Sequence, residues 1–290
     1  MKDDRPMTFD ALLPPQMAGR AINVGVNKAK LNLGSMFALA VLAGAFIAMG
    51  AIFCTVTVTG GCGSYGLTKL FGGLSFCLGL ILVVVAGAEL FTGNNLIVMA
   101  QVSGKIEVKD VLRNWIVVYV GNLVGSVATA AIMFMTMQYT EPGGKGAVGI
   151  TALSIAAGKC SLPWLGAFAR GIYCNALVCL AVWLCFSARS TTDKILSIIF
   201  PITAFVACGF EHCVANMYFI PVGLIIKSDA AFIAQVGAQV ANLDNLTLYG
   251  FFVKNLVPVT LGNIVGGSLL VGLIYWWIFE RPQKMTPGDS

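Results

Sequence analysis

Charge is scarce in this chain: only 11% of its 290 residues are Asp, Glu, Lys or Arg, against about a quarter in an ordinary soluble domain. So few charges cannot solvate a folded surface, so the chain's solvent is largely lipid and the protein is integral to a membrane. Histidine is scarcer still, with His212 standing alone, and nine cysteines are scattered without a Cys-x-x-Cys pair. One imidazole among dispersed thiols makes no metal-ligand cluster. No Ser/His/Asp set or cofactor motif lies at plausible depth either, so an enzyme, a cofactor and a nucleic-acid partner are not expected. Most thiols (Cys77, Cys174, Cys179, Cys185, Cys208 and Cys213) fall in apolar runs, where cysteine acts as a small hydrophobe. Cys62 and Cys160 are expected in loops on one side. The first 30 residues lack the apolar core of a signal peptide.

Apolar residues are abundant, at 58%. A bilayer core takes about 20 of them per helix, and six runs qualify: 33–58, 67–103, 110–137, 161–187, 195–226 and 254–279. The second and fifth are too long for simple spans, and polar stretches interrupt both: GAELFTGNN at 87–95 and CGFEHCVAN at 208–216. Both read as broken helices. The organisation expected is a cytoplasmic segment over 1–30, one transmembrane domain over 31–280 and a cytoplasmic tail over 281–290. Within the first segment, 16–26 reads either as a short amphipathic helix on the membrane surface or as a solvated tail.

An even number of spans puts both termini on one side. Twelve basic residues fall there: Lys2, Arg5, Arg20, Lys28, Lys30, Lys105, Lys109, Arg113, Arg189, Lys194, Arg281 and Lys284. Five (Lys69, Lys145, Lys159, Lys227 and Lys254) fall on the other. The positive-inside rule then makes the termini cytoplasmic.

The two halves repeat. NWIVVYVGNLVGS at 114–126 aligns with NLVPVTLGNIVGG at 255–267, with Asn114, Gly121, Asn122, Val124 and Gly125 recurring at a spacing of 141. The breaks correspond loosely, Glu89 and Asn95 against Glu211 and Asn216. Two three-span repeats run in opposite directions through a membrane, because three is odd. The fold class expected is therefore all-α, with six transmembrane helices as two inverted repeats (about 31–137 and 161–279) whose second and fifth helices are broken, an architecture of transporters and channels.

Ionisable groups at membrane depth are costly and typically mark ion paths or proton relays. His212, which can change charge near neutrality, is accordingly read as a pore residue. Glu89 and Glu211 are read as acceptors for backbone N–H groups freed where each helix unwinds, with proton carriage as the other reading. Thr92 adds a hydroxyl. Asn122 and Asn263 either hold the broken backbones or line the pore. Phe76 and Leu80 share a helix face and, with Phe205, form either an apolar constriction or plain core.

GAELFTGNN, GFEHCVAN and the paired Gly-Asn helices resemble the formate/nitrite transporter family over nearly the whole chain. FGGLSFCLGLIL and NALVCLAVW are similar to its formate branch. The resemblance implies an aquaporin-like protomer, a homopentamer in a bacterial inner membrane and one pore per protomer. The cargo implied is a small monovalent anion such as formate, nitrite or hydrosulfide. It would cross either with its charge balanced by cationic His212 and Thr92, or as the neutral acid after taking up a proton from His212 as donor or relay. By matching motifs, Thr92 would belong to a mobile loop facing the pore histidine His212. Phe76, Leu80, Leu90, Phe91, Val178 and Phe205 would sit at hydrophobic constrictions. Lys159 would attract anions into the vestibule, with Asn175 and Asn263 as supporting polar groups. An ammonium or neutral-solute channel is the rival class. It is disfavoured by the single histidine and by the absence of Asn-Pro-Ala at either break.

Overall fold

In the computed structural model, residues 10–281 are described, and all regular structure among them is helical. Lys2, Arg5, Lys284 and nearly all of the C-terminal tail lie outside the described residues. Among the described residues, five helical stretches are long and apolar enough to cross a membrane: Leu33–Val58, Tyr65–Gly87, Val108–Met135, Trp164–Ser187 and Gly250–Phe279. The remaining crossing is divided into two helices, Thr191–Ala207 and Cys213–Lys227, with the break at 208–212 between them. A bend of 94° then separates Cys213–Lys227 from the short helix that follows.

In chain order, α1 is Pro14–Ala29, α2 Leu33–Val58, and α3 Tyr65–Ile81, which runs on as a π-helical stretch, Leu82–Gly87. The first break, 88–92, leads through a 3-10 turn, Gly93–Ile97, into α4, Val98–Val102. Then come α5 (Val108–Met135), α6 (Ala147–Cys160), α7 (Trp164–Ser187), α8 (Thr191–Ala207) and α9 (Cys213–Lys227). The chain ends with α10 (Ala230–Val236), α11 (Val257–Ile264) between π-helical stretches Gly250–Leu256 and Val265–Leu273, and α12 (Ile274–Phe279).

The helices start where polar side chains satisfy free backbone N–H groups. Asn32 accepts from the Ser35 N–H at 2.9 Å before α2, Ser64 from Leu67 before α3, and Ser190 from Asp193 before α8. Helices α2 and α5 pack through glycine. A Cβ on Gly125 would collide with the Val41 carbonyl, and one on Gly266 would collide with the Ile172 carbonyl, so each Gly-x-x-x-Gly face lets two backbones touch.

Residues 16–26 fall within α1, a helix packed against the rest of the protein. Met17, Ala18, Ala21 and Ile22 are buried with Ala100 and Trp183. Helix α6 holds the matching position before α7, with Cys160 buried at its C-terminus rather than in a loop. All nine cysteines are free thiols.

Candidate functional site

The polar centre is assembled by matching side chains from the two halves. Unwinding at 88–92 and 208–212 frees backbone groups within the membrane-spanning body, where unpaired N–H and C=O groups are costly. Asn122 supplies partners for the first break: its Oδ1 accepts from the Phe91 N–H at 2.9 Å, and its Nδ2 donates to the carbonyls of Glu89 (2.9 Å) and Ala40 (2.7 Å). Asn263 repeats the pattern at the second break. It accepts from the Cys213 N–H at 2.9 Å and donates to the carbonyls of Glu211 (2.9 Å) and Gly171 (2.8 Å).

The expectation that Glu89 and Glu211 accept from freed backbone N–H groups is therefore corrected. Their carboxylates take side-chain donors. Glu89 pairs with Lys28 at 2.6 Å and accepts from Asn94 at 2.6 Å. Glu211 pairs with Lys159 at 2.9 Å and accepts from Asn216 at 2.7 Å. A carboxylate offers up to four lone-pair sites and holds an ammonium and an amide together. The amides reach on to Asn114 and Asn255, at 2.9 and 2.7 Å. The side-chain pattern thus matches Asn216 with Asn94 rather than Asn95, at the spacing of 122 that also relates Glu89 to Glu211.

Asn95 does different work, bonding Asn175. The Asn175 amide donates to Asn95 Oδ1 (3.0 Å), to the Thr92 carbonyl (3.2 Å) and to the Asn263 carbonyl (2.7 Å). One residue of α7 thereby ties the first break to α11.

Thr92 and His212 meet where the breaks face each other. Thr92 Oγ1 lies 2.9 Å from His212 Nε2, and both residues are buried. His212 Nδ1 accepts the Ala215 backbone N–H at 3.0 Å, which caps the start of α9. A backbone N–H can only donate, so Nδ1 carries a lone pair. The ring is then the neutral tautomer with its proton on Nε2. That proton is donated to Thr92 Oγ1, which leaves the threonine hydroxyl hydrogen free for an acceptor.

Apolar side chains surround the pair. The Phe205 ring stacks near His212 at 5.8 Å between centroids and meets Phe76 edge-on at 5.5 Å; Phe219, unmarked in the sequence reading, stacks on Phe76 at 6.3 Å. Toward α1 a cavity of about 470 Å³ is lined by Leu80, Leu90, Val83 and Val182, with Lys28 and Glu89 at its wall. Val178 is buried in the same core. Phe91 is placed differently from its expected constriction: its ring packs edge-on against Tyr119 (4.9 Å) and Trp115 (6.0 Å) of α5. Its backbone N–H, not its ring, serves the break. Lys159 reaches Glu211 and the Phe219 ring, so its charge is matched locally, which departs from the picture of a free anion-attracting lysine. Lys28 was missed as its counterpart, though the two sit at one spacing of 131 with Ala40 and Gly171.

A family model described as Formate/nitrite transporter matches residues 15–277. The chain belongs to the formate/nitrite transporter family. Among curated members of this family, the formate channel FocA of Escherichia coli K12 is 44% identical over 284 residues, covering 97% of this chain and 98% of that protein. FocA of Haemophilus influenzae is 44% identical over 287 residues, covering 98% and 99%. A solved pentameric formate channel with formate bound superposes with a TM-score of 0.78 at 50% identity, over 85% of this chain and 97% of that one. These transporter-family relatives are channels and transporters, and the chain is not an enzyme.

Proposed function

We propose that each protomer carries formate or a similar small monovalent anion through the path between the two breaks, with Thr92 and His212 as its polar step. The observation that carries this reading is the 2.9 Å Thr92–His212 contact inside an otherwise apolar enclosure. An anion entering from the α1 side meets Leu80 and Leu90 without its water, and losing that water is costly. The free Thr92 hydroxyl offers one charge-assisted hydrogen bond. Glu89 and Glu211, which alone would repel the anion, are neutralised by Lys28 and Lys159.

A proton completes the crossing. When His212 is doubly protonated, Nε2 passes a proton to the carboxylate, the ring returns to neutral and formic acid crosses the apolar layer uncharged. Charging the ring requires a proton on Nδ1, and that displaces the Ala215 N–H. Proton loading is thereby coupled to opening of the first turn of α9, and pH selects between anion passage and proton-coupled passage.

Similarity to formate channels supports the substrate, and the pentameric relative supports a homopentamer in the bilayer. The excess of basic residues on the terminal side supports cytoplasmic termini, and the bacterial relatives support an inner membrane. We keep the division into segment 1–30, channel domain 31–280 and tail 281–290 as part of this proposal, with α1 docked beneath the channel.

The test is liposome uptake of formate with nitrite, hydrosulfide and ammonium as competitors at two pH values. Formate uptake inhibited by the two anions is the expected result. Conduction of ammonium in preference to formate would overturn it.

A further inference from the structure

A second, much smaller cavity, of about 20 Å³, lies between α2, α9 and the turn after α5. Most of its wall is apolar, from Ile52, Val222 and Ile226, but four oxygen-bearing side chains also line it: Thr55, Gln138, Tyr218 and Tyr139, the last already donating to Asp229 at 2.7 Å. Gln138 Oε1 is buried without a hydrogen-bond partner. Tyr218 is 3% exposed, and its phenol makes no hydrogen bond among the described residues. Thr55 Oγ1 donates to the Ala51 carbonyl at 2.8 Å, which leaves its lone pairs open. Buried polar groups are almost always paired, so an orphan acceptor beside one void, with an unbonded phenol on the same wall, requires an explanation.

We propose that this cavity is a binding site for a single structural water that clamps α9 to α2 and to the α5–α6 turn. The size fits, since a water needs roughly 10–15 Å³ of such space. The chemistry fits as well. Tyr218 O–H donates to the water oxygen, and the water donates one hydrogen to Gln138 Oε1 and the other to Thr55 Oγ1. That gives three hydrogen bonds, the usual number for a buried water, and leaves neither the Gln138 acceptor nor the Tyr218 phenol unpaired. A cation is disfavoured because no carboxylate lines the cavity.

The site has no twin. The counterpart of Tyr218 at the spacing of 122 is Leu96, which packs with Cys179 and Val271. The clamp therefore belongs only to the helix whose first turn is capped by His212 and whose Phe219 ring meets Phe76. Fixing the roll of α9 by a bridging water holds both of those side chains in place.

The test is a structure of the full-length protein in lipid, by cryo-electron microscopy or crystallography, at a resolution that shows ordered water. The expected result is one density peak within about 3 Å of Tyr218 Oη, Gln138 Oε1 and Thr55 Oγ1. In Tyr218→Phe that peak should vanish and the melting temperature should fall by a few degrees. Gln138→Leu, on a turn near the surface, gives the same readout should Tyr218→Phe not assemble. An empty cavity, a direct Tyr218–Gln138 bond, a peak coordinated at about 2.4 Å as a metal would be, or an undiminished peak in Tyr218→Phe would each overturn the proposal.

Discussion

Thr92 and His212 are 2.9 Å apart, yet the internal repeat relates neither to the other. At the spacing of 122 the counterpart of His212 is Leu90 and that of Thr92 is Val214. The Lys–Glu–Asn–Asn network is duplicated on both sides, while the polar pair exists once. Scaffold and chemistry are thus separable: the symmetric residues hold two breaks open, and one asymmetric pair fills the space between them.

The pair's hydroxyl is the direct contact offered to an anion. Thr92→Val removes it while keeping nearly the same shape, leaving the His212 Nε2–H without its acceptor. Loss of one such hydrogen bond corresponds to about tenfold in rate. Formate flux into liposomes should fall by about that factor with the protein still folded.

Opening of the α9 cap is required before His212 can hold two protons. Hydrogen exchange at the Ala215 amide should therefore speed up as the pH falls. Mass spectrometry of the peptide spanning 211–218 reads it out. In His212→Asn, where no ring titrates, exchange there should not vary with pH beyond the intrinsic chemical rate.

The Lys28–Glu89 pair shows 26% and 7% side-chain exposure, so it is largely shielded from solvent. Removing one partner strands a buried charge at a cost of about 3–5 kcal/mol, whereas removing both is far milder. Lys28→Met should lower thermal stability sharply, and Lys28→Met with Glu89→Gln should recover most of the loss. Melting of the purified protein in detergent gives the cycle.

Outside the spans, Tyr139 donates to Asp229 at 2.7 Å. The Tyr139 hydrogen bond, followed by the Phe232 N–H, holds the Asp229 carboxyl below its ordinary value. Burial, followed by the nearby carboxylate, pushes the Tyr139 phenol up to about 12. A depressed acid stabilises the fold above its unfolded pKa, about 3.9, and that contribution is lost as pH falls through the lower folded value. The raised phenol stabilises the fold below about pH 10, and its contribution is lost as pH climbs toward 12. Tyr139→Phe should therefore lower the melting temperature at pH 7 and differ less from wild type at both extremes.

Much of this was legible in the sequence because membrane burial makes polar residues conspicuous. GAELFTGNN and CGFEHCVAN stood out against apolar surroundings, and the Gly-Asn identities at a spacing of 141 revealed the repeat. The residues misread were those whose role depends on which way a side chain turns. Glu89 and Asn122 both sat at plausible depth, and only geometry shows that the amide, with a donor and an acceptor together, repairs the backbone. Lys28 lay outside any apolar run, so nothing marked it until its distance to Lys159 was compared with that from Ala40 to Gly171. The Asn95 match failed by one residue because adjacent asparagines offer the alignment two equal choices.

The central claim is that His212 couples anion passage to a proton. Liposomes holding the purified protein, with formate and proton movement followed together at two pH values, test it most directly. The account predicts proton movement with formate that strengthens toward acidic pH in the wild type, and loss of both the stoichiometry and the pH dependence in His212→Phe. Full pH dependence and unchanged proton stoichiometry in that variant would contradict it.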